Sequence, residues 1–157
     1  MNLKLELLVL PVSDVDRAKD FYEKAGFRLD IDAAPIAEWR AVHLTPPGSE
    51  ASIIFGEGLT SAEPGSTQGL YLVVTDIEAA RKELLNRGVD VSEVFHDARG
   101  RFFHNHTDGR ITHDLPGQER IAGRNPEGDS YASYATFSDP DGNGWVLQEI
   151  TERFPGR

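Results

Sequence analysis

The sequence predicts an α+β fold of two tandem βαβββ modules with mixed sheets, on three observations. The first is an internal repeat: Val12-Ser13-Asp14-Val15-Asp16 is answered at an offset of 62 residues by Val74-Thr75-Asp76-Ile77-Glu78. Ala18 then falls over Ala80, Lys19 over Arg81, Gly26 over Gly88 and Leu29 over Val91. The second is that a hydrophobic run, residues 7–10 and 70–74, leads each copy into a segment of helical periodicity. The third is that short apolar runs bounded by turn residues follow each helix, as strands do. Two copies are too few for a solenoid, which needs three or more units to bury a continuous core.

Taken in order, the first module occupies residues 1–57. Its opening strand runs from Lys4 to Leu10, and its helix covers residues 14–25, where Val15, Ala18, Phe21, Tyr22 and Ala25 fall on one side. Ser13 and Thr75 stand where helix caps belong, with Asp16 and Glu78 three places on, and Thr75-x-x-Glu78 has the form of a capping box. Gly26 and Gly88 tolerate a left-handed residue and end the two helices at the same point. Strands are expected at 27–31, 39–44 and 51–55, separated by Pro35 and by Thr45-Pro46-Pro47-Gly48-Ser49. Residues 58–68 lack periodicity and read as a linker.

The second module, residues 69–152, repeats the plan with a strand at 69–74, a helix at 76–87, a strand at 89–95 and a closing hairpin at 131–137 and 145–150. Between them lies a polar connection from His96 to Asp129, long enough to suggest a lid or a dimer-contacting arm. Residues 153–157 form a tail.

Composition narrows the function. A chain of 157 residues with 39% hydrophobic residues can bury a core unaided. No apolar run approaches bilayer length and no cleavable leader is evident, so the reading is no membrane partner and a cytoplasmic location. The absence of cysteine excludes disulfides, thiolate metal sites and Cys nucleophiles. A formal net charge of −10 argues against nucleic acid, whose backbone is bound by Lys and Arg that displace counterions. An acidic field suits a cationic ligand, and it equally serves solubility.

Leu10-Pro11-Val12-Ser13-Asp14-Val15-Asp16-Arg17-Ala18-Lys19-Asp20-Phe21-Tyr22 near the start and Phe137-Ser138-Asp139-Pro140-Asp141-Gly142-Asn143-Gly144-Trp145 near the end complete a pattern. Together with the repeated element order, it resembles the vicinal oxygen chelate superfamily of glyoxalase I, extradiol dioxygenases, fosfomycin-resistance transferases and bleomycin-resistance proteins. The resemblance covers about residues 3–152 and implies the glyoxalase/bleomycin-resistance fold, in which the modules curl their sheets into a cup. Asp139-Pro140-Asp141-Gly142-Asn143 is first of all a hairpin turn, since Pro presets one dihedral and Gly accepts a positive one.

In the metal-dependent members, four strands each donate a His, Gln or Glu to a divalent ion. The resemblance carries those positions onto Leu7, Ile54, Gly69 and Val146, none of which has a donor atom in its side chain. A divalent ion needs several nitrogen or oxygen ligands, so the expectation is no metal and no cofactor. In the last strand the nearest polar residues are Gln148 and Glu149.

Other chemistry is carried by few residues. Trp39 and His43 share a parity on the third strand, so His43 is a candidate base or hydrogen-bonding group, with ordinary packing the alternative. Tyr131, Ser133 and Tyr134 offer hydroxyls from the strand before the last. His96, His104, His106 and His113 cluster with Asp97, Asp108 and Asp114 in the long connection, which raises a secondary His-x-His metal site against the commoner case of solvated loop histidines. Asn105-His106-Thr107 matches a glycosylation sequon, discounted because no signal peptide precedes it.

The resulting expectation is a homodimeric binding protein that takes a small apolar or cationic aromatic molecule in its cup or dimer groove. Its candidate contacts are Leu7, Trp39, His43, Ile54, Gly69, Tyr131, Val146 and Gln148. The alternatives are a lactoylglutathione-lyase-like or dioxygenase enzyme with a displaced metal, and a metal-independent isomerase or lyase using His43 or His96 as proton carrier.

Overall fold

The computed structural model describes residues 1–98 and 120–156. The chain divides into two compact units, one of Met1–Thr67 with Asp139–Asn143, the other of Gln68–Ser138 with Gly144–Arg157. In the first, β1 (Leu7–Val9), α1 (Val15–Lys24), β2 (Arg28–Ile36), β3 (Trp39–Thr45) and β4 (Ser52–Glu57) follow one another. Their sheet is mixed, in the order β1-β4-β3-β2, with β1 parallel to β4.

The second unit repeats this with β5 (Leu70–Val74), α2 (Ile77–Asn86), β6 (Phe95–Asp97), β7 (Arg120–Ala122), β8 (Ser133–Ser138) and β9 (Gly144–Glu149). The sheet order β5-β9-β8-β6-β7 is that of the first unit with one extra edge strand. The repeat extends to register: Val9 lies opposite Ile54 in one sheet, and Tyr71, at the repeat offset from Val9, lies opposite Val146 in the other.

Both helices end as expected, at Gly26 and Gly88 with φ of 99° and 76°, which only a residue without Cβ adopts cheaply. They do not begin as expected. The caps are Asp14 and Asp76, one place after Ser13 and Thr75, each accepting the N–H of the residue three on at 3.0 Å. A carboxylate adds charge complementarity with the helix dipole to the capping bond, so Asp prevails where both residue types are adjacent. Ser13 is instead engaged by Asp141.

Strand boundaries shift as well. β2 runs through Pro35 to Ile36, which an edge strand permits because an edge N–H has no ladder bond to lose. The strand expected at 89–95 begins only at Phe95. Upstream, Ser92 donates its N–H to the Thr136 carbonyl but accepts the Thr136 N–H with its hydroxyl, and its own carbonyl accepts from Arg81, so a side chain takes over one acceptor of the ladder. The strand expected from Tyr131 starts at Ser133, because Tyr131 occupies a left-handed turn at φ 69°. The connection expected from His96 to Asp129 is not wholly irregular: His96 and Asp97 belong to β6, and β7 pairs with it. Residues 99–119, including His104, His106, His113, Asp108, Asp114 and the sequon, lie outside the described residues.

Tyr22 is buried at the centre of the first unit, its ring 5.2 Å from Phe27 and 5.7 Å from Phe55. The Asp139–Asn143 turn belongs to that unit. Asp139 Oδ1 accepts the N–H groups of Asp141, Gly142 and Asn143 at 3.0, 2.9 and 2.9 Å. Its Oδ2 accepts the Tyr22 hydroxyl and the Asn143 amide, and that amide also donates to the Pro11 carbonyl. In the second unit Trp145 stacks on Phe137 with ring centroids 6.0 Å apart, and Glu149 Oε2 accepts the N–H of Ile77 in the first turn of α2. No helix among the described residues is long and apolar enough to cross a membrane.

Candidate functional site

Alternation along the strands sorts the candidate residues by face. In the first unit Phe55 meets Tyr22 of α1, so its neighbour Ile54 faces away from the helix. Register then assigns Leu7, Val9, Ile31, Ala41 and His43 to the same helix-free face, and Trp39 joins them by parity. Of the residues singled out in the sequence, Leu7, Trp39, His43 and Ile54 are brought together here. All four are part-exposed, while Val9 and Ile31, which sequence reasoning passed over, are 43% and 52% exposed.

Polar groups on this face are mostly spoken for. Asp30 bulges from β2 between Leu29 and Ile31, accepts from Arg28 Nε and takes the Thr45 hydroxyl. Ser52 is 2.7 Å from the same hydroxyl. The Arg28 guanidinium, and then the Thr45 hydroxyl, hold the Asp30 carboxyl below its ordinary value. His43 differs: its Nε2 is buried and has no hydrogen-bond partner among the described residues, although the residue as a whole is part-exposed.

The matching face of the second unit is closely packed around Val146, while Val73 at its end stays 45% exposed. Glu149 reaches α2, which places Trp145 and Leu147 on the helix side and Val146 and Gln148 on the other. There Val146 packs with Phe95, Tyr134 and Tyr71, and the Arg120 guanidinium lies 3.8 Å from the centroid of the Phe95 ring. Val146 is 2% exposed and Tyr134 fully buried. Burial, with the neighbouring Tyr134, pushes the Tyr71 phenol well above its ordinary pKa. The Tyr134 hydroxyl donates to the Tyr131 carbonyl, toward which Gln148 Nε2 also reaches at 3.4 Å.

Tyr131 itself stacks on Phe154 with centroids 4.3 Å apart, and the Ser133 hydroxyl accepts the Asn125 N–H. Gly69 precedes β5 with φ 73°. His96 lies on the opposite face of its sheet from Val146, its Nδ1 donating to the Gly123 carbonyl at 2.9 Å.

The donor set does not fit a divalent metal of the kind the resemblance implies. Leu7, Ile54 and Val146 present hydrocarbon and Gly69 presents nothing, so an ion at these positions would lose water without replacement. Glu149, the carboxylate nearest in sequence to Val146, points to the helix side and is held by Arg124 at 2.6 Å. Among the described residues no group of three or more His, Asp or Glu side chains is arranged to hold an ion.

Comparisons with known proteins agree with this architecture. The model of the glyoxalase/bleomycin resistance protein/dioxygenase superfamily matches residues 4–147. Among solved structures, TnmS3, an antibiotic binding protein from Streptomyces sp. CB03234, is 29% identical, with a TM-score of 0.63 over 95% of this chain and 97% of that one. A glyoxalase/bleomycin resistance protein from the same Streptomyces is 30% identical, with a TM-score of 0.59 over 93% of this chain and 100% of the other. A superfamily member from Sphaerobacter thermophilus DSM 20745 is 26% identical, with a TM-score of 0.62 over 94% and 98%. Comparison with curated proteins gave no match. With nearly its whole length matched, the chain belongs to the glyoxalase/bleomycin resistance protein/dioxygenase superfamily.

Proposed function

We propose that this chain is a metal-free binding protein that holds a small, flat, apolar or cationic aromatic molecule against the helix-free face of its first sheet. The observation that carries the reading is the contrast between the two faces. Val146 is buried against Phe95 and Tyr134, whereas Leu7, Val9, Ile31, Trp39, His43 and Ile54 leave an apolar surface partly open. Part-exposed aliphatic side chains around an indole suit stacking with a flat ring, since each covered Å² of apolar surface contributes about 25 cal/mol.

The net charge of −10 favours cations over anions at that surface. The similarity to TnmS3, which is described as antibiotic binding, supports the same class of function. A cytoplasmic location accords with the absence of cysteine. Leu3 and Leu5 continue the alternation of Leu7 and Val9 and are strongly exposed, a stripe that a second copy of the chain would cover. A metal-independent isomerase or lyase is the second reading, favoured by His43 Nε2, which has no hydrogen-bond partner among the described residues.

Thermal-shift screening tests the proposal. Flat aromatic compounds, cationic ones foremost, are expected to raise the Tm, and Trp39→Ala to abolish the rise while leaving the fold intact. Stabilisation that survives Trp39→Ala and Ile54→Asp would place the ligand elsewhere. Turnover of a stabilising compound, lost in a His43 variant, would favour the enzyme.

A further inference from the structure

Among the described residues, the helix-free face of the first sheet holds a buried polar atom without a hydrogen-bond partner. Thr45 donates to Asp30, Ser52 stands within hydrogen-bond distance of Thr45, and Arg28 donates to Asp30, so that group is internally satisfied. That atom is His43 Nε2. Leaving a buried ring nitrogen unpaired is costly, and a bond supplied from outside the fold removes the cost. His43 lies opposite Ile54 on β4 and Ile31 on β2, at the middle of the open apolar surface. The residue is part-exposed and the torsion that turns an imidazole ring is broad, so a bond from Nε2 to a molecule on the open side requires a turn of the ring.

We propose that His43 is the directional contact of this face: its Nε2 hydrogen-bonds an oxygen carried in the ring plane of the bound aromatic molecule. The face therefore selects phenolic or quinone-type aromatics over plain aromatic hydrocarbons. The inference rests on the proposed binding face and adds its specificity. An aliphatic surface alone discriminates weakly, because every flat ring gains similar contact area. A single in-plane hydrogen bond penalises any ring that leaves the imidazole unpaired.

Equilibrium dialysis with 2-naphthol and naphthalene, on the wild type, His43→Leu and His43→Gln, separates the outcomes. The ratio of the naphthalene Kd to the 2-naphthol Kd is expected to fall about fivefold to tenfold in His43→Leu, the worth of one hydrogen bond. His43→Gln, which keeps a nitrogen close to the position of Nε2, is expected to retain most of the wild-type ratio. On the wild type alone, the ¹⁵N resonance of His43 Nε2 should move with 2-naphthol and stay in place with naphthalene, a readout that survives even if a variant fails to fold. A ratio unchanged in His43→Leu, or a His43 resonance insensitive to 2-naphthol, overturns the inference while leaving the binding face standing. If neither compound binds the wild type, the binding face fails and the inference falls with it.

Discussion

Tyr22 and Asp139, 117 residues apart in sequence, meet through a buried hydrogen bond of 2.9 Å in which the phenol donates to Oδ2. The bond ties α1 to a turn that the chain reaches only near its end. Tyr22→Phe keeps the ring that packs on Phe27 and Phe55 and removes only the donor, so it is expected to cost about 1–3 kcal/mol. Asp139→Ala removes the acceptor of three backbone N–H groups and should cost more. Urea midpoints check both, and a Tyr22→Phe midpoint equal to that of the wild type would show the bond to be dispensable.

Glu149 serves the second unit in a comparable way, with one oxygen on the Ile77 N–H at 3.1 Å and the other on Arg124 at 2.6 Å. Glu149→Ala orphans a buried helix N–H and one guanidinium, and a loss of about 1–3 kcal/mol is expected, the Arg124 share being reduced by its exposure. Glu149→Gln, which keeps an acceptor for Ile77, should recover part of it. Equal losses in the two variants would assign the whole effect to the ion pair.

Asp32 lies between Lys19, at 2.8 Å, and the fork of Arg40, whose Nε and Nη2 both bond it at 2.9 Å. The Arg40 bonds first, and then Lys19, hold its carboxyl well below the ordinary 3.8. The folded state therefore binds fewer protons than the unfolded one, and the stabilisation is complete above 3.8 and lost as pH falls through the folded value. Asp32→Asn should lower stability at neutral pH, and the gap to the wild type should narrow below 3.8. A gap constant from neutral to strongly acidic pH would contradict this. Added salt should also narrow it, since the pair is partly exposed.

The repeat, the helix ends and the order of elements were legible because they follow from local chemistry: glycine where φ is positive, alternation where one face is covered. What escaped depended on partners distant in sequence. Ser13 and Asp14 are both good caps in isolation, and the engagement of Ser13 by Asp141 adds to the dipole preference that gives the cap to Asp14. The break of the strand before β6 lies in the Ser92–Thr136 bond, and β7 in its pairing with β6, neither of which leaves a local signature. At the site, the sheet faces were readable from parity, as Trp39 and His43 show. The burial of Val146 against Phe95 and Tyr134 was not, since burial is a property of the assembled sheet.

The exposed stripe of Leu3, Leu5 and Val9 bears on assembly. If a second copy covers it, the wild type should sediment as a dimer and Leu5→Asp as a monomer, because burying an unpaired charge in an apolar contact costs more than such a contact supplies. Identical sedimentation of the two proteins would remove the stripe from any interface.

Metal content tests the central claim most directly. Protein purified without chelators and dialysed against nickel, zinc, manganese or ferrous ion is predicted to retain no stoichiometric metal by elemental analysis, to show no glyoxalase activity with any of them, and to keep its Tm when chelator is added. The reason is the hydrocarbon at Leu7, Ile54 and Val146 and the absent side chain at Gly69. One tightly held ion per chain, released by chelator with a fall in Tm, would contradict the metal-free reading and restore a displaced metal centre.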